Sequence, residues 1–332
     1  MVGMILAYLS PYFDPNNFWI FSMFGLFYPV LLLANLAMII FWLLLDFKYL
    51  FLSLIVVLLG WFHLQGFINF SKGSEEASDL KILSYNMGFS YPLRSGSKEE
   101  RKKNKDALKS FFLSQNDVDI FCLQESSKFS RDLLKSNFEE FYKHEIGRRG
   151  TFIFSKYPII RHGEISFGTS TNSCLWADIG IKQDTIRIYN MHLQSNRVSR
   201  DAVKVIDNVN LQEKKTWQGI AGILRKYGST SKIRAKQSKK VAEHAAKSLH
   251  PTIICGDGND PPTSFTYSRI CGDYQDSFIE AGSGLGTTYA GKIPMLRIDY
   301  IFVDDQFLVN SFDILKESYS DHYAVKGGYK IK

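Results

Sequence analysis

The stretch IICGDGND, at residues 253–260, ends an apolar run in a cluster of polar side chains. Two isoleucines and a cysteine lead into a glycine, and Asp257, Asn259 and Asp260 then follow within four positions. A short apolar run rich in β-branched residues predicts a buried strand. Carboxylate and amide groups at the end of such a strand either form a turn or belong to a ligand site.

The same pattern recurs along the chain from residue 80 onward. Apolar, strand-like runs begin or end at side chains that can bind a metal ion or transfer a proton. These side chains are Asn86, Glu125, Asn190, His192, Asp257, Asn259, Asp299, Asp321 and His322. Any one of them alone is more simply explained as a turn former or a surface residue. Because strand after strand delivers them at the same kind of position, we predict that they gather at one site.

The ligand types in this set favour a hard cation. Carboxylate and amide oxygens suit Mg²⁺, with Mn²⁺ or Ca²⁺ as alternatives. The four cysteines have no paired metal-binding spacing, and three lie in strand-like runs where a buried free thiol is expected. Two histidines beside several acids suit phosphoryl chemistry, which needs an acid, a base and a cation at the phosphorus centre.

Short strands separated by both turns and helices predict an α/β (α+β) fold with mixed sheets. Strands are expected at 80–87, 117–126, 150–159, 175–181, 184–194, 250–257, 296–303 and 323–329. Helices are expected at 98–115, 207–228 and 232–249, each with a basic or polar face.

The first 70 residues are a different kind of sequence, with only three formal charges: Asp14, Asp46 and Lys48. Two long uncharged runs predict a transmembrane helical hairpin, with spans near 22–45 and 49–66. A cleaved signal peptide has a basic start and one short apolar core, and this segment has neither. Residues 1–9 are apolar but too short to span, so they form the stub of a further span or lie in the interface.

Residues 71–79 form a polar linker between this hairpin and a catalytic domain at residues 80–332. Lys48 is the basic residue in the hairpin turn, and the positive-inside tendency places it in the cytoplasm. The catalytic domain is then expected outside the cytoplasm, at the inner membrane. Residues 196–250 carry a net charge of +9. This basic segment could hold a polyanion, lie against anionic lipid, or be an ordinary pair of solvated helices.

Six short motifs follow one another along the soluble part of the chain. They are SYNM (84–87), LQES (123–126), YNMHLQS (189–195), CGDGND (255–260), RIDYIFV (297–303) and SDH (320–322). In this order they resemble the endonuclease/exonuclease/phosphatase superfamily over roughly residues 80–330. The superfamily includes deoxyribonuclease I-like enzymes, neutral sphingomyelinases and inositol-polyphosphate 5-phosphatases. The resemblance implies a four-layer sandwich of two mixed β-sheets flanked by helices, in a bacterial, membrane-anchored member.

The resemblance also implies a metal site and a general base. Asn86 and Glu125 would lie at the metal, with Glu125 as the principal ligand. His322 would take a proton from the attacking water. Asp321 would complete the metal site or orient His322.

Further roles in the transfer of the phosphoryl group follow from the same resemblance. Asp257 would orient or activate the water, and Asn259 would hold a phosphate oxygen. His192 would stabilise the phosphorane or protonate the leaving oxygen, with Asp299 fixing its tautomer. Asn190 would support phosphate binding.

Five other side chains are weaker candidates on position alone. Arg297 could clamp a phosphate or form a surface salt bridge. Arg234 and Gln237 share one helix face, for which a solvated basic surface is the simpler reading. Thr288 and Tyr289, in a glycine-rich loop, are candidates to line the site.

The sequence therefore predicts a membrane-anchored, metal-dependent phosphoester hydrolase. Its substrate is either a nucleic acid or a phospholipid head group or other small phosphoester. An inactive, anchored binding domain is a third possibility, which the competent side chain at every catalytic position disfavours. The expected partners are the substrate and the membrane, and the chain is expected to be a monomer.

Gly258 departs from the superfamily pattern, in which this residue is commonly phenylalanine or another bulky apolar side chain. Alternation along the strand end would point Asp257 and Asn259 into the cleft and residue 258 the other way. Glycine at this position either leaves the site slack or requires neighbouring side chains to fill the gap.

Overall fold

The computed structural model describes residues 1–74, 76–89, 96–138, 143–196, 213–291, 293, 295–317 and 319–332. Two six-stranded sheets pack face to face in its C-terminal part. The first sheet has the order β13-β14-β2-β3-β5-β4. Its strands are β2 (Leu80–Asn86), β3 (Ile120–Gln124), β4 (His144–Arg148), β5 (Thr151–Ser155), β13 (Phe307–Leu315) and β14 (Ala324–Ile331).

The second sheet has the order β10-β12-β9-β8-β7-β6. Its strands are β6 (Ile159–Ser166), β7 (Ser173–Ile181), β8 (Asp184–His192), β9 (Thr252–Asp257), β10 (Gln275–Asp276) and β12 (Asp299–Val303). A separate two-stranded sheet pairs β1 (Ile68–Phe70) with β11 (Ser283–Leu285). Both large sheets are mixed, since β2 runs parallel to β3 and β8 runs parallel to β9.

Helices cover the outer faces of both sheets and complete four layers. On the first sheet lie α7 (Lys98–Ser114) and α8 (Lys128–Phe138), and on the second lie α9 (Lys214–Ala245) and α10 (Phe265–Cys271). A short helix, α11 (Ser277–Ala281), packs at the edge against β13. The inner layer is formed by β-branched residues from both sheets. Each such side chain contributes roughly 1.5–3 kcal/mol on full burial.

The strand predictions are confirmed, with small shifts of their ends. The prediction of two separate helices at 207–228 and 232–249 is wrong, because α9 is one continuous helix through residues 229–231. Ser229, Thr230 and Ser231 are weak helix formers and predict a break. Their hydroxyls bond back to carbonyls three or four residues earlier, so these polar groups are satisfied within the helix. Residues 207–212 of that prediction lie outside the described residues.

The N-terminal 70 residues form a helical module. It contains α1 (Val2–Leu9), a 3₁₀ turn (Ser10–Tyr12), α2 (Pro15–Phe18), α3 (Ile20–Leu26), α4 (Tyr28–Leu45), α5 (Phe47–Leu59) and α6 (Trp61–Gln65). It ends in β1, which pairs with β11 of the following domain.

The two predicted spans differ from the helices that form. The first, at 22–45, is divided at Phe27, and α4 begins there with Pro29 in its first turn, a position that suits proline. The second, at 49–66, is divided at Gly60, which leaves 13 residues in α5. Among the described residues, one helix, Tyr28–Leu45, is long and apolar enough to cross a membrane.

Candidate active site

The strand directions bring the polar strand ends to one edge of the sandwich. The parallel register places Asn86 beside Gln124 in the first sheet and His192 beside Asp257 in the second. Strand β12 runs the other way, so its first residue, Asp299, lies opposite Asp257. His322 precedes β14, which is antiparallel to β2 and therefore starts at the same edge.

Asp257 is the centre of the cluster. Its Oδ2 accepts hydrogen bonds from Asn86 Nδ2 at 2.9 Å and from Asn259 Nδ2 at 2.7 Å. Its Oδ1 accepts from the backbone N–H of Asn259 at 2.8 Å. The carboxylate is almost completely buried. Burial raises the pKa of Asp257 to about 6, with the charge of Asp299 adding to it, against the opposing effect of His322.

Asn259 reaches Asp257 by a turn and not by strand alternation. Strand β9 ends at Asp257, and Asn259 has the left-handed backbone conformation, with φ at 54°. Asparagine tolerates this conformation better than most residues. The predicted alternation is therefore wrong, although both side chains do meet at the site.

The space beside Gly258 is filled by a neighbour. A Cβ atom at this glycine would lie 3.2 Å from Tyr300 Cε2 and 3.3 Å from its Cδ2. The Tyr300 hydroxyl donates to the backbone carbonyls of Asp260 and Arg297, which fixes the ring. The site is thus not left slack, because a ring from β12 replaces the bulky side chain expected at 258.

His322 is held by Asp299. Its Nδ1 lies 3.0 and 3.2 Å from the two oxygens of Asp299, and its Nε2 lies 4.0 Å from Asp257 Oδ2. Burial would lower the pKa of His322, but Asp299 and Asp257 outweigh it and raise the pKa to about 10. The expectation that Asp299 fixes the tautomer of His192 is wrong, since β12 directs Asp299 to His322.

Thr288 and Tyr289, the predicted loop residues, contact the His322–Asp299 pair. Thr288 Oγ1 accepts from the backbone N–H groups of Ile298 and Asp299, at 2.9 and 3.1 Å. Tyr289 pairs with His322 in a backbone bridge, and its ring lies edge-on to the imidazole. Both residues therefore support the site from behind.

His192 occupies the opposite side of Asp257. Its Nε2 lies 3.3 Å from Glu125 Oε1 and 3.9 Å from Asp257 Oδ2. The ring is buried, yet neither nitrogen has a hydrogen-bond partner within the part of the chain that the structure describes. Burial would lower the pKa of His192, but Glu125 and Asp257 outweigh it and raise the pKa.

Glu125 lies at the open side of the site and has a constrained backbone. Its φ is 45°, in the left-handed region that carries a strain cost for a residue of this kind. Burial would raise the pKa of Glu125, but the adjacent His192 and His322 outweigh it and lower the pKa. A carboxylate held ionised and partly open to solvent is a suitable cation ligand.

The donor chemistry of the site fits a divalent cation. Asp257, Asp299 and His322 each offer one ligand atom, and these three atoms lie within 4.8 Å of one another. Asn86 keeps an oxygen nearby that accepts only the Gly88 backbone N–H among the described contacts. Together with Glu125, this is an oxygen-rich set with a single class of nitrogen donor, which suits a hard metal ion.

Asp321 lies at the rim of the site. Its side chain is exposed, and Oδ1 accepts from Ser320 Oγ at 3.3 Å. The carboxylate that orients His322 is Asp299 and not Asp321. A contribution of Asp321 to the metal site stays a prediction.

Asn190 serves the scaffold and not the substrate. Its Nδ2 donates to the carbonyls of Leu123 and Phe152 in the other sheet, and its Oδ1 accepts from Gln124 Nε2 at 2.6 Å. The side chain is fully buried, with both amide hydrogens engaged. The prediction that it binds phosphate is wrong for this reason, since its bonds join the two sheets.

Arg297 is likewise a scaffold residue. It is fully buried and bonds Asp276 with both terminal nitrogens, at 3.0 and 2.5 Å. The rings of Phe278 and Tyr300 lie 4.8 Å from its guanidinium carbon. The prediction that it binds substrate is wrong, because the pair is enclosed by protein.

Arg234 forms a second buried ion pair, which the sequence pattern did not predict. Its Nη2 donates to Asp260 Oδ1 at 2.6 Å, and Asp260 also accepts from Tyr227 and Thr266. Gln237, one turn on, accepts from the Gln194 N–H through Oε1. The predicted solvated surface is therefore wrong for both Arg234 and Gln237, which are buried. The signal was the spacing of Tyr227, Ser231 and Arg234 at helical intervals on one buried face.

Two family models match the sequence. Residues 83–322 match the model described as "Endonuclease/Exonuclease/phosphatase family". Residues 1–67 match a model described as "Domain of unknown function (DUF8431)". No curated protein matches the sequence.

Solved structures with the same fold include several phosphoester hydrolases. An endonuclease/exonuclease/phosphatase from Bacteroides vulgatus is 17% identical, with a TM-score of 0.56, over 76% of this chain and 99% of that one. A mannosyl-6-phosphatase from Bacteroides thetaiotaomicron is 19% identical, with a TM-score of 0.53, over 76% and 100%. Sphingomyelinase C from Streptomyces griseocarneus is 15% identical, with a TM-score of 0.52, over 75% and 98%. At these identities the likeness establishes the fold.

Proposed function

Because this chain belongs to the endonuclease/exonuclease/phosphatase family, we propose that it is a metal-dependent phosphodiesterase of the endonuclease type, anchored in a membrane. The observation that carries the proposal is the buried group of Asp257, Asp299 and His322, whose donor atoms lie within 4.8 Å of one another. With His192 and Glu125 beside it, this group supplies a base, an acid and metal ligands in one place. Phosphoester hydrolysis needs all three.

The base side of the reaction belongs to His322 and Asp257. Asp299 accepts from Nδ1 of His322, so Nε2 is the nitrogen directed at the site, 4.0 Å from Asp257 Oδ2. The attacking water would lie against these two atoms. Because a pKa of about 10 keeps the His322 ring protonated at neutral pH, Asp257 would take the proton and His322 would hold the water in place. Asp257, with its pKa raised by burial to about 6, is a carboxylate at neutral pH and is close to the range that suits proton transfer.

The acid side belongs to His192. Glu125 and Asp257 raise its pKa, which favours the protonated ring more than in an ordinary histidine. Its Nε2 lies 3.3 Å from Glu125 Oε1, so donation to the leaving oxygen would replace this long contact. Asn259 would hold a phosphate oxygen nearby by exchanging the longer of its two amide bonds, the 3.2 Å bond to the Leu193 carbonyl.

Glu125 and Asn86 would hold Mg²⁺, with Mn²⁺ or Ca²⁺ as alternatives and Asp321 as a further ligand at the rim. This assignment leaves Asp257, Asp299 and His322 to the base side of the reaction. When bound, the cation would neutralise charge on the phosphate oxygens and on the carboxylates that raise the pKa of His322.

A lipid head-group phosphodiester is the second candidate substrate, and the N-terminal module favours it. Helix α4 is long and apolar, and Leu44, Leu45 and Phe62 are 77%, 67% and 81% exposed. Exposed apolar side chains in such number support the proposal of a membrane-contacting surface. The module would keep the catalytic domain beside the bilayer, on the side away from the cytoplasm.

A hydrolysis panel with the full chain in detergent micelles tests the function. It would contain plasmid DNA, RNA, sphingomyelin, inositol phosphates and bis-p-nitrophenyl phosphate, each with Mg²⁺ and with EDTA. We expect phosphodiester cleavage that EDTA abolishes and that Glu125→Gln reduces by about 10²-fold or more. Cleavage of no substrate, with no binding of Mn²⁺, would instead support an inactive binding domain. A periplasmic reporter fused after Lys332 tests the location.

A further inference from the structure

The N-terminal module contacts the loop that follows the central carboxylate of the active site. The hydroxyl of Thr263, six residues after Asp257, donates to the carbonyl of Gly25 in α3 at 2.8 Å. Both residues are buried. A Cβ atom at Gly25 would lie only 2.3 Å from the Thr263 carbonyl oxygen, so glycine is what allows the two backbones to approach.

A second glycine of the module meets the same loop. A Cβ atom at Gly66, at the end of α6, would lie 2.7 Å from Pro262 Cβ. The segment Pro262–Thr263 is therefore held between two helices of the module. Asp257 ends β9 and Asn259 follows it, so both lie a few residues before this held segment.

The module also contacts the loop behind the other half of the site. Strand β1 pairs with β11, and the Gly286 N–H donates to the Phe67 carbonyl at 2.8 Å. Two residues later, Thr288 accepts from the Asp299 N–H, and its carbonyl accepts from the Tyr323 N–H. This loop thus connects the module to the Asp299–His322 pair.

We infer that the N-terminal module is a positioning element of the active site as well as an anchor. It holds the 262–263 segment on one side and the 286–288 segment on the other. The first segment follows Asp257 in the chain, and Thr288 of the second accepts from the Asp299 N–H. Asp257 and Asp299 lie opposite each other on β9 and β12. The inference rests on the proposed function, and it requires turnover of a soluble substrate to depend on contacts made by the module. An anchor alone would affect only access to a membrane-bound substrate.

The test uses the full chain in micelles and a soluble substrate, bis-p-nitrophenyl phosphate. Thr263→Val removes the hydroxyl with little change of shape, and Thr263→Ser keeps it. Gly66→Ala introduces the close contact with Pro262. Gly222→Ala, in α9, is the matched control, because a Cβ there meets nothing within 4 Å.

We expect Thr263→Val and Gly66→Ala to lower kcat roughly tenfold at unchanged KM, since small misplacements of reacting groups reduce the rate steeply. Thr263→Ser should restore most of the rate, and Gly222→Ala should match the wild type. Wild-type kcat in both test variants would overturn the inference. So would an equal loss in Thr263→Val and Thr263→Ser.

Hydrogen exchange separates this inference from the proposed function. Thr263→Val should speed amide exchange in residues 257–264, while Thr263→Ser and Gly222→Ala should not. If the wild type hydrolyses nothing, the proposed function fails, and the exchange data still decide whether the module holds the loop. Unchanged exchange in Thr263→Val would then overturn the inference by itself.

Discussion

Two buried pairs, each of a cationic side chain with a carboxylate, lie side by side at the start of β12, and they have different surroundings. Arg297 bonds Asp276 with both terminal nitrogens and is enclosed by aromatic rings. His322 bonds Asp299 with Nδ1, and its other nitrogen faces Asp257. Only one residue, Ile298, separates Arg297 from Asp299 along the chain.

The difference between the pairs shows what makes a buried charge available for chemistry. Arg297 can exchange neither its proton nor its partner, because guanidinium stays protonated and its terminal nitrogens are occupied. His322 titrates, and its Nε2 lies where a ligand can meet it. The Arg297–Asp276 pair holds the start of β12 in place. The His322–Asp299 pair depends on that placement, because Asp299 is the first residue of β12. Substitutions at the two pairs should therefore affect different measurements.

The largest expected effect is that of His322→Ala on the rate. Loss of the imidazole that holds the attacking water beside Asp257 should reduce kcat/KM by roughly 10⁴-fold, at the upper end for a general acid or base. The thermal midpoint should change little by comparison. Steady-state kinetics with the best substrate of the panel, together with thermal unfolding, measures both.

His162→Ala is the control for this substitution, since that histidine lies exposed on β6, away from the cleft. Its kinetics should equal those of the wild type. Undiminished turnover in His322→Ala would remove the distinction between the two pairs, because neither would then take part in the chemistry.

The next effect in size is that of Arg297→Met on stability. Removal of one partner from a buried ion pair leaves Asp276 uncompensated, which costs about 3–5 kcal/mol. For a domain of this size we expect the thermal midpoint to fall on the order of 10 °C. The folded fraction should keep kcat/KM within about tenfold of the wild type, because Arg297 does not border the cleft.

The double variant Arg297→Met, Asp276→Leu is the companion measurement. It removes both charges and should recover part of the lost stability. A large rise in KM with an unchanged melting temperature would restore the substrate-binding role that the sequence had indicated for Arg297.

A smaller effect is expected from His192→Ala, which removes a buried imidazole whose Nε2 lies 3.3 Å from Glu125 Oε1. We expect kcat to fall by about 10²-fold, since a leaving group that departs without a proton is slower. A substrate with a good leaving group, such as p-nitrophenolate, should lose less than one with an alkoxide leaving group. Equal losses on both substrates would argue against the role of His192 as the acid.

The sequence predicted which residues reach the active-site edge better than it predicted their partners. Alternation of apolar runs with polar ends located Asn86, Glu125, His192 and Asp257, because a strand carries its end residue to a defined edge. Partners depend on which strands are neighbours, and that is a long-range property. Asp299 therefore could not be matched to His322 or to His192 until the order β12-β9-β8 was known.

Burial was the second property that local patterns could not supply. Arg297 and Asn190 stand inside motifs and look available, yet their bonds to Asp276 and to the facing sheet occupy them. A charged or amide side chain is identified as structural only when its partner, distant in sequence, is known. The helix division near residue 230 failed for a related reason, since tertiary packing along α9 overrode three weak helix formers.

The smallest expected effect is that of Gly258→Ala. It tests whether the two pairs are coupled through the packing of Tyr300. Tyr300 lies between them: its ring covers the Arg297 guanidinium at 4.8 Å and also fills the space beside Gly258. The added methyl group would lie 3.2 Å from Tyr300 Cε2, closer than an ordinary contact. Because the hydroxyl of Tyr300 is fixed by two carbonyls, the ring cannot move freely, and we expect a loss of about 1 kcal/mol of stability.

The kcat of Gly258→Ala shows whether the backbone at 258 or the Tyr300 ring moves to relieve the close contact. If the backbone at 258 yields, Asp257 moves and kcat falls by up to about tenfold. If Tyr300 yields instead, stability falls and kcat does not. Gly222→Ala is the control for the effect of a methyl group, and in an exposed helix it should be neutral or stabilising by up to about 1 kcal/mol. A gain of stability in Gly258→Ala would mean that Tyr300 leaves room at the site, and the two pairs would then be packed independently.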